Sequence, residues 1–227
     1  MTMRIGFDMD GVLADFTSAF RDVEDRLFGP AVTRGDSDAG DDADSRSAAS
    51  DPTTPREERR RHDAVWRHIR STRDFWTTLA PIRETAVRQI HGMMLEHRWE
   101  VFFITQRPAT EGDTVQRQTQ RWLVGQGFDL PSVLVIAGLR GDAVAALRLD
   151  YHVDDLAQNC LDVMSDSRAR PILITSSADD ARARTARRLG IGVATSIDEC
   201  LQILGEASSS RSNPGGLARL ASLVGWK

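Results

Sequence analysis

Ile5-Gly6-Phe7-Asp8-Met9-Asp10-Gly11-Val12-Leu13-Ala14-Asp15-Phe16 is the stretch on which the reading of this chain turns. An apolar run leads into two carboxylates one residue apart, then into a glycine turn. The run predicts a short strand, and residues i and i+2 of a strand point to the same side. Asp8 and Asp10 are therefore aimed together at a strand end. Acids so placed repel each other unless a metal ion or a shared proton relieves them. A cation or a reaction is expected there.

Similar apolar runs recur at 101–105, 133–137, 150–153, 171–175 and 191–194, after the first at 4–8. They are continuous rather than alternating, which fits strands of a parallel sheet buried on both faces. Between them the period becomes helical. Ala86, Ile90, Met93, Met94 and His97 form one stripe, and Val115, Thr119, Trp122 and Leu123 another. Leu156, Cys160, Val163 and Met164 form a third. Such alternation predicts an α/β fold, a Rossmann-like parallel sheet with helices on both sides.

About ninety residues separate the first two strands, far more than one crossover helix needs. Within the gap, Phe16, Phe20, Val23 and Leu27 make one helical stripe, and Val65, Trp66 and Ile69 a second. Residues 33–55 are rich in Asp, Ser, Ala and Gly and can bury little apolar area, so a flexible acidic loop is expected there. Its aspartates lack the ordered spacing of a calcium loop. The expected organisation is a core of residues 1–15 and 80–207, a small helical cap at 16–79, and a linker and tail at 208–227. Leu217 to Trp226 is a candidate short helix.

Composition narrows the function. A net charge of −4, with basic residues dispersed among acids, argues against a nucleic-acid partner. The arginine-rich stretch from Arg56 to Arg73 is interrupted by Glu57, Glu58 and Asp63 and reads as a solvated helix face. No apolar stretch is long enough to span a bilayer, and no leader pattern precedes the first strand, so a cytoplasmic protein without a membrane partner is expected. Cys160 and Cys200 read as reduced core residues. Of 29 basic residues, only Lys227 is a lysine.

In open α/β sheets, ligands bind at the carboxyl ends of the strands. The polar residues there are Asp8 and Asp10, then Thr105, then Arg140, then Asp154 and Asp155. Four carboxylates, a hydroxyl and a guanidinium suit a hard cation such as Mg²⁺ together with a phosphate. The cation would also make a carboxylate nucleophile workable against an anionic substrate.

Asp8-Met9-Asp10-Gly11-Val12, Thr105, a basic residue and Asp154-Asp155 together resemble the four motifs of the haloacid dehalogenase superfamily of phosphohydrolases. The fuller string from Asp8 to Phe16 resembles its 5′(3′)-deoxyribonucleotidase branch, as does Phe75-Trp76 with Leu79-Ala80-Pro81. The likeness covers the core and the two ends of the cap. It implies a phospho-aspartate on Asp8 and a general acid/base in Asp10, which the dehalogenases lack. It further implies Mg²⁺ held by Asp8, the Asp10 carbonyl and the Asp154-Asp155 pair. Asp155 would bind directly, and Asp154 directly or through water. Thr105 would hold the phosphoryl group. The implied substrate is a nucleoside monophosphate, with Phe16 stacking on the base and Phe75 and Trp76 closing the cap. The same three aromatics could instead simply pack the cap on the core.

The chain departs from the pattern at two places. The third motif usually carries lysine; here Arg140-Gly141-Asp142 stands in its place, with Arg148 as a competitor read as lying in mid-helix. Gln106-Arg107-Pro108 follows Thr105 where serine is common, and Gln106 and Arg107 are candidate substrate contacts. Arg107 reads equally as a phosphate or cap ligand and as a surface salt bridge. Two alternatives therefore stand beside the nucleotidase: a phosphatase for another small ester such as a sugar phosphate, and a weakened binding or regulatory protein. A homodimer is left open.

Overall fold

The computed structural model describes residues 2–30, 54–177 and 181–210. Six parallel strands form one sheet in the order β3-β2-β1-β4-β5-β6. They are β1 (Arg4–Asp8), β2 (Glu100–Thr105), β3 (Ser132–Val135), β4 (Tyr151–Asp154), β5 (Arg170–Ile174) and β6 (Gly192–Ala194). The α/β fold expected from the apolar runs is present, with boundaries shifted by one or two residues. Order reverses at β1, whose neighbours are β2 on one side and β4 on the other. A crevice opens at such a switch point, beyond the carboxyl ends of the strands.

Eight helices are described: α1 (Phe16–Phe28), α2 (Pro55–Ser71), α3 (Ala86–His97), α4 (Val115–Gly125), α5 (Arg140–Ala146), α6 (Ala157–Asp166), α7 (Ala181–Leu189) and α8 (Ile197–Ser210). Strand alternation divides the core between the two faces of the sheet. Phe103 packs with Phe7, Ile90, Leu123 and Leu204, from β1, α3, α4 and α8. Its neighbour Ile104 packs with Val144 and Val163 from α5 and α6. Both faces are covered, which is why the strands carry no polar alternation.

Two details depart from expectation. Leu156 precedes α6 as its cap residue and is 56% exposed, so the third stripe is buried only through Cys160 and Val163. The serines from 208 onward read as linker, yet α8 runs on through Ser210, and Trp99 Nε1 donates to Ser208 Oγ at 3.0 Å. Both cysteines are buried and unpaired, and burial pushes their thiols up. No described helix is long and apolar enough to cross a membrane. Most of the expected loop at 33–55, and the candidate helix at 217–226, lie outside the described residues.

Between β1 and α3, the described residues form a pair of helices, α1 and α2. Asp15 caps α1 by accepting from the Ser18 amide at 3.0 Å. Thr54 and Glu57 form a reciprocal capping box on α2, with Pro55 in the first turn. A 3-10 turn, Phe75–Thr77, leads back to the core. The outgoing and returning chains are tied together: Asp15 N donates to Ala80 O and Ile82 N to Leu13 O, both at 2.9 Å, around an Ala14–Pro81 bridge. This neck begins four residues after Asp10, so the helical pair is anchored beside the sheet's switch point.

Candidate active site

Asp8 ends β1, with its side chain only 8% exposed. Its charge partner is Arg140, whose Nη2 donates to Asp8 Oδ1 at 2.6 Å and whose Nε lies 3.3 Å from Asp154 Oδ2. Arg140 is the first residue of α5 and is itself buried. Gly141 permits this: a Cβ there would run into the Asp162 carbonyl on α6, so α5 seats close against its neighbour. Arg148 lies past the end of α5, with φ 50° and an exposed side chain, rather than in mid-helix.

Asp154 ends β4 and is fully engaged. Its Oδ1 accepts from the Leu156 amide at 3.0 Å, and Asn159 Nδ2 donates to both oxygens. His152 Nε2 lies 3.1 Å from Oδ2. Burial pushes His152 down, toward the neutral ring. A neutral ring must place its hydrogen on Nε2 to donate here, leaving Nδ1 against Gly6. Asp155 packs on Gly11, whose φ is 78° and whose missing side chain makes room for that carboxylate. Ligand oxygens of Asp8, Asp154 and Asp155 all lie within 4.8 Å of one another.

The electrostatics of this triad are unbalanced. Burial, then the Asp154 charge, pushes Asp8 well above the usual carboxylate range, and Arg140 does not offset them. Burial also acts to raise Asp154, but the His152 hydrogen bond, Arg140 and the Leu156 amide hold it low. Burial, then Asp154, raises Asp155 to about 6. Three close acids with one guanidinium are short of positive charge, and an all-oxygen donor set of this size fits a hard divalent cation.

A stability prediction follows. Asp155 titrates higher in the folded than in the unfolded chain, so its ionisation destabilises the fold. That penalty is absent only well below the unfolded value of 3.8, under about pH 3, and complete above the folded value of about 6. In chelator, Asp155→Asn should exceed wild type in stability at pH 8 by about 1–2 kcal/mol, allowing for screening at a partly exposed group. The difference should shrink as pH falls below about 6 and vanish under about pH 3 in urea titrations. A gap that does not change with pH would contradict the assignment.

Thr105 ends β2, one residue past Ile104, the register partner of Asp8, and its Oγ1 is buried with no hydrogen-bond partner among the described residues. Arg140 Nη1 is in the same state. Asp10 turns away from the triad: Arg107 Nε and Nη2 donate to its two oxygens at 2.8 and 2.6 Å. Asp8 and Asp10, aimed together by the strand, are thus separated by the turn, and each meets its own arginine. Arg107 is 6% exposed and does not form a surface salt bridge.

The aromatics divide. Phe75 and Trp76 are 4% and 1% exposed and pack the inserted pair against the core. Phe16 is half-buried, with ring centroids 5.4 Å from Trp66 and 5.6 Å from Trp76. Trp66 on α2 and the exposed Gln106 instead line a cleft of about 890 Å³, together with His62, Arg67, Arg107 and Pro108. The sequence places Trp66 in the helical stripe with Val65 and Ile69; it is partly buried against the core cluster and also lines the cleft. His152 and Asn159 were not anticipated as Asp154 partners. Asn159 stands one helical turn after the acid pair, and that spacing could have flagged it.

A parallel sheet with a helical insertion after its central strand, and with acids gathered at the strand ends, defines a phosphohydrolase of the haloacid dehalogenase type. The family described as 5′ nucleotidase, deoxy (Pyrimidine), cytosolic type C protein matches residues 2–188, and the chain belongs to that family. It is accordingly a phosphatase acting on a small phosphorylated substrate. Among solved structures, a Thermotoga maritima protein described as a β-phosphoglucomutase aligns with TM-score 0.52 at 16% identity, covering 90% of this chain and 99% of its own. A Pseudomonas syringae hydrolase aligns with TM-score 0.49 at 13% identity, covering 91% and 99%. The first supports the fold alone. Comparison with curated proteins finds no match.

Proposed function

We propose that the protein is a Mg²⁺-dependent nucleotidase that hydrolyses (deoxy)ribonucleoside monophosphates through a phospho-aspartate on Asp8. The observation that carries this reading is the pair of buried donors without partners, Thr105 Oγ1 and Arg140 Nη1, beside the acid triad. A buried donor left unpaired costs about 1–3 kcal/mol, and phosphoryl oxygens satisfy both. The triad and the Asp10 carbonyl would hold Mg²⁺, which would supply the missing positive charge and keep Asp8 ionised.

Asp8 attacks phosphorus as the ester P–O bond breaks, and Asp10 gives its proton to the leaving alcohol. Asp10 then takes a proton from water, whose oxygen attacks phosphorus and breaks the Asp8–phosphoryl bond. Inorganic phosphate leaves, and both carboxyls return to their starting states. Arg140 neutralises Asp8 and the phosphoryl group throughout. The inserted pair acts as a cap, and Trp66, backed by Phe16, offers the base a stacking wall in the cleft. A cytoplasmic setting belongs to this reading, consistent with two unpaired cysteines.

A second reading, a sugar phosphate, draws on another cleft of about 1110 Å³ on the Asp155 side, whose lining includes Arg21, Thr175, Thr195 and Asp198. Phosphate release from a panel of nucleoside and sugar monophosphates, with Mg²⁺ or with chelator, separates the two. Nucleotides should be preferred, and chelator should abolish turnover. Trp66→Ala should raise KM for the best nucleotide about 10-fold, from lost stacking, while leaving a small aryl phosphate unaffected. Turnover of sugar phosphates alone would overturn the nucleotide assignment. The regulatory-protein alternative draws on the missing lysine; the hydrogen bond from Arg140 to Asp8 supports the enzyme reading instead.

A further inference from the structure

Arg107 is the buried charge at the site that the proposed chemistry leaves without a task. Its side chain is 1% exposed, whereas that of its partner Asp10 is 25% exposed. The guanidinium is held from several sides. Nε and Nη2 span both oxygens of Asp10, and Nη1 donates to the buried Thr119 Oγ1 on α4 at 3.0 Å. Its central carbon stands 4.7 Å from the centroid of the Trp76 ring. Trp76 is fixed in turn: its amide donates to Gln118 Oε1 at 3.1 Å and its indole N–H to the Pro108 carbonyl at 3.0 Å.

Every guanidinium nitrogen of Arg107 therefore has a partner. Arg140 differs, with Nη1 lacking one. Arg107 is spent on Asp10 rather than held ready for an incoming phosphate. A two-point fork fixes the plane of a carboxylate as well as its distance, which a single point charge does not. Asp10 follows the strand end in a turn and is partly exposed, so the fork is what gives its carboxylate one orientation.

We infer that Arg107 is the positioning residue for Asp10. It sets the direction of the acid/base carboxylate, taking its own bearing from Thr119 on the core and Trp76 at the end of the inserted pair. Although it borders the cleft, its nitrogens are taken by Asp10 and Thr119 and it is not the phosphate ligand. This rests on the proposed reading in which Asp10 protonates the leaving alcohol.

The test is a double-mutant cycle in kcat/KM, which reports formation of the phospho-aspartate. It compares wild type, Asp10→Asn, Arg107→Met and the double variant on a nucleoside monophosphate and on p-nitrophenyl phosphate, whose leaving group needs no proton. For the nucleotide, Arg107→Met should lose about 10- to 100-fold, within the range of acid catalysis and of small misplacements. For p-nitrophenyl phosphate the loss should stay within about threefold, and the double variant should be no slower than Asp10→Asn. The inhibition constant of inorganic phosphate should be unchanged. Arg107→Lys keeps the charge without the fork and should show the same split, which covers the case in which the Met variant does not fold.

Equal losses on both esters, additive losses in the cycle, or weakened phosphate inhibition would overturn the assignment. Wild-type turnover with an unimpaired Arg107→Met would remove the Arg107 role alone. A wild type that releases phosphate from neither ester would remove the proposed function and this role with it.

Discussion

Asp8→Asn releases phosphate at less than about one-thousandth of the wild-type rate, the scale of loss when a covalent nucleophile is removed. The amide has no anionic oxygen to attack phosphorus, and two of the neighbouring acids are held by other partners. Asp154 is bound by His152, Asn159 and the Leu156 amide, and Asp10 by Arg107. The fold should tolerate the change. Burial and Asp154 already disfavour a charged Asp8, so a neutral side chain relieves repulsion in the metal-free protein. Arg140 keeps Asp154 as a counter-ion at 3.3 Å. Thermal unfolding in chelator should therefore show a melting temperature no lower than wild type. Loss of activity with an intact fold places the role in chemistry; retained turnover would refute the phospho-aspartate.

Arg140→Met is the second large effect, and it strikes stability and activity together. Removing one partner of a buried ion pair costs about 3–5 kcal/mol, because the remaining charge stays buried without compensation. Here the anion left behind is chiefly Asp154, which Arg140 helps to hold low, with Asp155 close by, whereas Asp8 can take up a proton. Urea unfolding in chelator at pH 7.5 should show that loss. It should shrink as pH falls, since protonated acids no longer need the cation. Added Mg²⁺ should recover part of the stability but not turnover, for which at least a 100-fold loss is expected. Arg140→Lys should restore most of the stability while losing about 10-fold in turnover, because an ammonium cannot span Asp8 and Asp154 as a fork does. Equal activity in the lysine variant would mean that only net charge matters at this position.

The sheet was legible for a simple reason. Strands covered on both faces must be apolar throughout, so runs such as Val101-Phe102-Phe103-Ile104 stand out from their surroundings. The end of each run also marks where the crevice lies, and this put Asp8, Thr105, Arg140, Asp154 and Asp155 on one rim before any contact was known. The helices were less clear at their ends. Leu156 continued an apolar stripe by spacing, but it lies before α6 begins and faces solvent. Nothing in the spacing separates a cap residue from the first buried position.

Arg107 shows what spacing cannot supply. It sits 97 residues from Asp10 in the chain, and its two hydrogen bonds exist only because β2 pairs beside β1. Phe16, Trp66, Phe75 and Trp76 likewise read alike as aromatics on short helical segments. In the folded chain Phe75 and Trp76 are buried, whereas Trp66 is partly buried and lines the cleft. By itself, the sequence determined the sheet, the insertion after its first strand and the rim of acids, because each follows from local periodicity and from where strands end. Which arginine meets which acid, and which aromatic lines the cleft, was decided only by tertiary structure. Those choices depend on distances between segments far apart in the chain, which packing sets and local pattern does not encode.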